Sequence, residues 1–131
     1  MLVQVAGRAG RAGIPIETWG EIFETQEIAD ALTKHPGARL VAIVHGETST
    51  GMLQPLQEIG ALCRAADRLF LVDAVATLGG TPLPVDAWNI DVCYSGSQKC
   101  LSAPPGLAPI TFGPRAEEKL RTRKSKVQSW Y

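Results

Sequence analysis

Four apolar runs of strand length punctuate this chain, and the segments between them carry helical spacing. Arg39-Leu40-Val41-Ala42-Ile43-Val44-His45 and Arg68-Leu69-Phe70-Leu71-Val72 are continuous apolar runs, the pattern of strands covered on both faces. Asp91-Val92-Cys93-Tyr94 and Leu107-Ala108-Pro109-Ile110-Thr111-Phe112 read as two further strands. Thr25 is expected to cap a helix running to about Lys34, with Glu27 and Asp30 at its positive end and His35-Pro36-Gly37 stopping it. Pro55 opens a second helix to about Ala66, because Leu56, Ile59, Leu62 and Cys63 share one face. Pro114 opens a third, to about Lys124. Alternation of strand and helix predicts an α/β fold built on a mainly parallel sheet with flanking helices.

The N-terminal segment is less regular. Gly7, Gly10 and Gly13 are spaced G-x-x-G-x-x-G, which is not the dinucleotide fingerprint, and no capped amphipathic helix follows. Ile14-Pro15-Ile16-Glu17 reads as a short edge strand because of its proline, and Trp19-Gly20 as a turn. At the other end Arg121, Arg123, Lys124 and Lys126 form a solvated, dipole-favoured helix end ahead of Trp130 and Tyr131, which are expected to need burial against further protein.

Composition narrows the function classes. The 131 residues are 45% hydrophobic and 20% charged, the balance of one globular domain with its own core. Thirteen basic and thirteen acidic side chains cancel, so bulk charge points to neither nucleic acid nor a membrane surface. No apolar run approaches the ~20 residues of a membrane span, and the start lacks the basic and long apolar regions of a secretory signal. Cys63, Cys93 and Cys100 have no C-x-x-C spacing, and free thiols in a reducing compartment are expected.

Open parallel sheets bind ligands beyond the carboxyl ends of their strands. Three strands here end in polar groups: Thr48 with Ser49, then Asp73, then Ser95 to Lys99. Each alone has a plainer reading, as a loop, a turn former or a solvated lysine. Together they place a carboxylate, hydroxyls and an amine on one rim, the set that pyridoxal phosphate chemistry requires. A carboxylate keeps the ring nitrogen protonated, the task of Asp73. A partly desolvated lysine amine holds the aldehyde as a Schiff base and then moves protons at the substrate's α-carbon, both tasks of Lys99. Thr48 suits the phenolic oxygen, and donors around Gly96-Ser97-Gln98 suit a phosphate.

These residues carry a resemblance. His45-Gly46-Glu47-Thr48-Ser49-Thr50-Gly51, Val72-Asp73-Ala74-Val75-Ala76-Thr77-Leu78-Gly79-Gly80 and Tyr94-Ser95-Gly96-Ser97-Gln98-Lys99 resemble, in order, the signature blocks of the alanine–glyoxylate and serine–pyruvate (serine–glyoxylate) aminotransferases. These are class V members of the fold-type I pyridoxal phosphate enzymes. Lys99 lies 26 residues beyond Asp73, in agreement with the family's layout. The resemblance implies that Lys99 is the Schiff-base lysine, Asp73 the partner of the pyridine nitrogen, Val75 the packing on one ring face, Gln98 a phosphate contact and Thr48 a neighbour of the phenolic oxygen. Gln98 before Lys99 is similar to the aminotransferase branch, whereas cysteine desulfurases resemble a histidine–lysine pair there. Cys100 does not match a desulfurase's nucleophile. For His45 structural hydrogen bonding is the expected role, for Trp19 core or interface packing, for Asp86 and Asp91 turn capping around Trp88, and for Gly79-Gly80 a close backbone approach.

The resemblance also implies that residues 1–131 are a partial large domain, without the N-terminal phosphate-loop region and the C-terminal small domain. Substrates implied are alanine or serine with glyoxylate or another 2-oxo acid. The family assembles as homodimers, in the cytoplasm or, in eukaryotes, in peroxisomes or mitochondria. Three alternatives remain open: a non-catalytic truncated domain that binds the cofactor weakly or associates with a full-length relative, another class V enzyme such as a desulfurase-like lyase, and an unrelated nucleotide-binding α/β domain.

Overall fold

The computed structural model describes residues 19–124. The glycine-rich start, the expected strand at residues 14–17, and Lys126, Trp130 and Tyr131 lie outside them. In chain order the elements are helix α1 (Thr25–Lys34), strands β1 (Leu40–Val44), β2 (Gly46–Glu47) and β3 (Met52–Leu53), helix α2 (Gln57–Ala65), strands β4 (Leu69–Asp73), β5 (Val92–Tyr94) and β6 (Ile110–Phe112), and helix α3 (Pro114–Thr122). The main sheet runs β1-β4-β5-β6. Its first three strands are parallel, and β6 returns antiparallel to β5. A mostly parallel sheet with flanking helices is the expected α/β architecture.

Register decides which side of the sheet is covered. Val41 pairs with Phe70, Ile43 with Val72, and Val72 with Cys93, so these side chains share one face. That face is the core: Ile43, Phe70, Val72 and Cys93 are buried together with Ile28 of α1 and Leu56, Ile59 and Cys63 at α2. The alternate positions Ala42, Val44, Leu71, Asp73 and Tyr94 point to the other face, where Ala42 is exposed and the rest are half-buried. Strand β1, expected to be covered on both faces, is therefore covered on one, and Leu40 is 44% exposed. A continuous apolar run records that both faces tolerate burial, not that both are buried in this chain.

Other expectations change for local reasons. The cap of α1 is Glu24, one residue before Thr25. The Glu27 carboxylate accepts the Glu24 backbone N–H at 2.7 Å, the return half of a capping box, while the Thr25 hydroxyl donates to Glu58 of α2. The segment 46–51, expected as a polar loop, contains β2 and the turn that leads into β3, so that residues 46–53 form a hairpin. Trp19 is 81% exposed rather than core. Asp91 is no turn cap. It is 3% exposed, accepts the Phe70 backbone N–H at 2.9 Å and pairs with Arg115 at 3.1 Å, tying α3 to the amino end of β4. Asp86 does serve its turn, through its carbonyl, which accepts the Asn89 backbone N–H. Arg121 pairs with Glu118 on the solvated face of α3. No helix among the described residues is long and apolar enough to cross a membrane.

Gly60 shows how tightly α2 sits. A Cβ there would run into the Trp88 carbonyl oxygen and come within 3.5 Å of the Phe70 ring. Gly-to-Ala in a helix interior ordinarily stabilises by about 0.5–1 kcal/mol, but here overpacking reverses the sign. Gly60→Ala is expected to lower the unfolding free energy by roughly 2 kcal/mol in urea titrations. Gly37→Ala, where the added Cβ meets open space, is expected to be neutral or slightly stabilising. Equal effects at the two sites would show that the Trp88 contact does not constrain α2.

Candidate functional site

The candidate site is built at the carboxyl ends of β4 and β5. Parallel pairing sets Asp73 opposite Tyr94, so both side chains leave the sheet on the same, open face. The Asp73 carboxylate is held at both oxygens. Oδ1 accepts the Val75 backbone N–H at 2.9 Å, a tight Asx-type turn, and Oδ2 accepts the Tyr94 hydroxyl at 2.6 Å. Burial pushes the Tyr94 phenol well above the usual tyrosine range, and the hydrogen bond to Asp73 and its charge push the same way. The tyrosine thus stays protonated as donor while the carboxylate accepts.

The lysine loop starts immediately after Tyr94 and is fastened to the Asp73 loop. The Ser95 hydroxyl donates to the Ala74 carbonyl at 3.0 Å, and the Tyr94 carbonyl accepts the Ala74 N–H at 2.9 Å. The Cys100 thiol donates to the Ala76 carbonyl at 3.1 Å. Gly80 makes room for that sulfur, which would lie 2.6 Å from any Cβ there, so the glycine pair admits a side chain as well as backbone. Farther along, the Ser97 hydroxyl donates to the Pro104 carbonyl at 2.6 Å, and Ser97 N–H bonds the Leu107 carbonyl. Ser95 and Ser97 are buried and used up in holding the loop, so they are not the free phosphate donors expected of this segment. Gln98 is exposed, with its side chain folded back over Gly96. Lys99 is exposed as well, and the desolvated amine expected from its neighbours is not found in this chain. Apolar flanking residues bury the loop's backbone and serines, not the lysine at its crest.

Thr48 lies at the exposed tip of the β2–β3 hairpin. No hydrogen bond joins it to Asp73 or Lys99 among the described residues. The hairpin is nevertheless tied to the rim. His45 N–H bonds the Asp73 carbonyl at 2.9 Å, and His45 Nδ1 lies 2.9 Å from the Thr77 hydroxyl. Gly46 is obligatory beside it, since a Cβ would strike the Thr77 methyl group. His45 also meets Trp88 edge-on at 6.2 Å. Its role is the structural one expected.

Asp73, Val75, Gln98 and Lys99 therefore come from two adjacent, mutually fastened loops, with Thr48 on a third segment joined to them through His45. A cavity of about 360 Å³ lies elsewhere, beside β1, lined by Trp19, Phe23, Val44, Thr50, Met52 and Gln54 among others. None of the five candidate residues lines it. The strand-end rim and the cavity are therefore separate places on the molecule. Two residues had no role assigned from sequence. Tyr94 was readable only as a strand end, and its partnership with Asp73 needs the β4–β5 register. Cys100 was read only as a thiol without a nucleophile's role, and its bond to Ala76 depends on Gly80.

The chain is similar to several known proteins. The family profile for aminotransferase class-V matches residues 12–127. The (S)-ureidoglycine–glyoxylate transaminase of Bacillus subtilis (strain 168) is 46% identical over 125 residues, which is 95% of this chain and 30% of that protein. The alanine–glyoxylate aminotransferase of Rattus norvegicus is 45% identical over 98% of this chain and 31% of its own length. The crystal structure of an alanine–glyoxylate aminotransferase from Nostoc sp. superposes with a TM-score of 0.89 at 48% identity, covering 98% of this chain and 34% of that one. The chain thus spans about a third of the length of these relatives.

Burial of His45, 2% exposed, holds its imidazole below the ordinary 6.5. The unfolded chain then takes up a proton that the folded chain refuses. Stability from this residue is complete above pH 6.5 and is lost as pH falls below that value, by at most about 1.4 kcal/mol per pH unit. Urea midpoints followed from about pH 7.5 down to about 5.5 are expected to drop, and His45→Gln is expected to flatten the drop. An unchanged slope in His45→Gln would assign the acid sensitivity to other groups.

Proposed function

The chain belongs to the aminotransferase class-V family, and from that premise we propose that it is the central part of the large domain of a pyridoxal-phosphate-dependent aminotransferase. The complete protein transfers an amino group from alanine or serine to glyoxylate or another 2-oxo acid, and works as a homodimer. The observation that carries this reading is the fastening of the Lys99 loop to the Asp73 loop on one sheet rim. It sets the loop that carries the amine beside the loop that carries the carboxylate, the two groups that the cofactor's donor set calls for. The named substrates of similar proteins, ureidoglycine and alanine with glyoxylate, support the substrate class.

The residues present fit the cofactor. Asp73 is a carboxylate already oriented by two donors and has lone pairs left for a third. When bound, pyridoxal phosphate supplies a ring that draws off the negative charge developing at the substrate's α-carbon. In this reading Asp73 holds the proton on the ring nitrogen, since an ionised neighbour favours the charged form. Lys99 Nζ would hold the cofactor's aldehyde carbon and would take and return the proton at the substrate's α-carbon. Val75 would pack against the ring, Gln98 would bind the phosphate, and Thr48 would bind the phenolic oxygen.

A second reading is favoured by the exposure of Lys99: the 131-residue chain alone binds the cofactor weakly and turns over little or nothing. A cofactor held only by an exposed side chain has little surrounding protein to position it. The unpaired thiols Cys63, Cys93 and Cys100 fit a reducing compartment, the cytoplasm in the simplest case. The desulfurase-like alternative is disfavoured because Gln98, and not a histidine, precedes Lys99.

Incubation with pyridoxal phosphate, borohydride reduction and peptide mapping test the assignment. The adduct is expected on Lys99 and is expected to vanish in Lys99→Ala. Undiminished labelling of Lys99→Ala would sink the anchor assignment. In a transamination assay the chain alone is expected to show at least about 100-fold less turnover than a full-length relative, as misplaced catalytic groups do.

A further inference from the structure

A short side-chain contact at the rim joins Asp73 to Tyr94, a residue with no task in the proposed function. The Tyr94 hydroxyl donates to Asp73 Oδ2 at 2.6 Å, within the 2.5–2.7 Å span of charge-assisted O–H···O bonds. Both residues are half-buried on the open face. Their backbones are locked by parallel pairing at the last rung of β4 and β5, so neither can drift away without breaking the sheet. The second Asp73 oxygen is bonded to the Val75 N–H. Two donors on opposite oxygens fix the carboxylate's rotation about its own side-chain bonds. An ionised carboxylate accepts at about four lone-pair sites, so a fixed subset stays directed at the rim.

We propose that Tyr94 is a positioning residue, whose hydroxyl sets the direction of the Asp73 carboxylate and thereby aims it at a cationic ring N–H. The naming of that target rests on the proposed function above; the orientation of Asp73 by Tyr94 does not. The phenol is suited to the task, because burial and the neighbouring carboxylate both oppose its ionisation and it remains a donor across the working pH range. The arrangement has a second consequence. Tyr94 is the residue from which the lysine loop departs, and Ser95 next to it is bonded to Ala74 next to Asp73. A change at the lysine loop therefore reaches the carboxylate through one side-chain bond and one backbone-anchored bond.

The test uses the chain itself, first without cofactor. In the unsubstituted protein, proton NMR is expected to show a downfield hydroxyl resonance from Tyr94 with a cross-peak to Asp73. Its absence would overturn the proposal without recourse to any variant. Tyr94→Phe is expected to remove that resonance and to lower the hydrogen-exchange protection of the Val75 amide by roughly tenfold, with protection at Phe70 and Cys63 in the core unchanged. Fluorotyrosine at position 94, which keeps the hydroxyl, is expected to restore Val75 protection; a purely packing role predicts no difference between phenylalanine and fluorotyrosine and would refute the assignment. With pyridoxal phosphate added, Tyr94→Phe is expected to shift the pH at which the bound chromophore's absorption changes while Lys99 labelling persists; an unshifted profile would remove the ring nitrogen as the carboxylate's target. Failure of the unsubstituted chain to form any Lys99 adduct would sink the proposed function and that target, and the hydroxyl resonance would still decide the orientation of Asp73.

Discussion

Parallel pairing of β4 with β5 is the constraint from which the rest of the rim follows. Parallel strands bring their carboxyl ends to one side of the sheet, and the register Asp73 to Tyr94 aligns the ends of these two. The loops that leave them are then neighbours by necessity. Residues that start those loops, Ala74 and Ser95, are within hydrogen-bond reach because the last rung of the ladder is directly beneath them. A shift of one residue would turn Asp73 or Tyr94 to the helix-covered face and separate the carboxylate from the Tyr94 hydroxyl.

The two loops are short of regular structure but not of bonds. Serines, a cysteine thiol and backbone amides satisfy the polar groups that a sheet or helix would otherwise satisfy. Ser97 alone joins the Lys99 segment to Pro104 and Leu107 through its hydroxyl and amide. His45 and Thr77 join the hairpin to the same unit. These bonds belong to the chain itself. They hold Asp73 and the backbone of the Lys99 loop in place. The exposed side chains of Lys99, Gln98 and Thr48 have no such support among the described residues.

The sheet is asymmetric in a way that bears on function. One face is sealed by α1 and α2 over a continuous core, and the other carries Asp73, Tyr94 and half-buried apolar residues. Strand β6 is exposed along its length, with Ile110 55% and Phe112 40% accessible. The chain spans about a third of the length of the relatives it matches. Water at the rim weakens every electrostatic contact there relative to a closed site. A carboxylate and an amine can be correctly mounted and still do little chemistry until the rim is covered.

Much of this was legible in the chain alone. Apolar runs and helical spacing located α1, α2, α3 and the four strands of the main sheet, because burial of one side imposes those periods whatever lies beyond. Polar residues at strand ends, with the three signature blocks, singled out Asp73 and Lys99. What the sequence could not carry was any property set by residues distant in the chain. The cap at Glu24, the ion pair of Asp91 with Arg115, the Cys100–Ala76 bond and the Tyr94–Asp73 bond all join groups whose approach depends on register and packing. The exposure of Lys99 and of one face of β1 likewise depends on what surrounds them, which local composition does not encode. Sequence determined which groups stand at the strand ends, through the chemistry of the residues and their period. Only the tertiary structure decided which of them touch, because contact is a property of pairs and the β4–β5 register chooses the pairs.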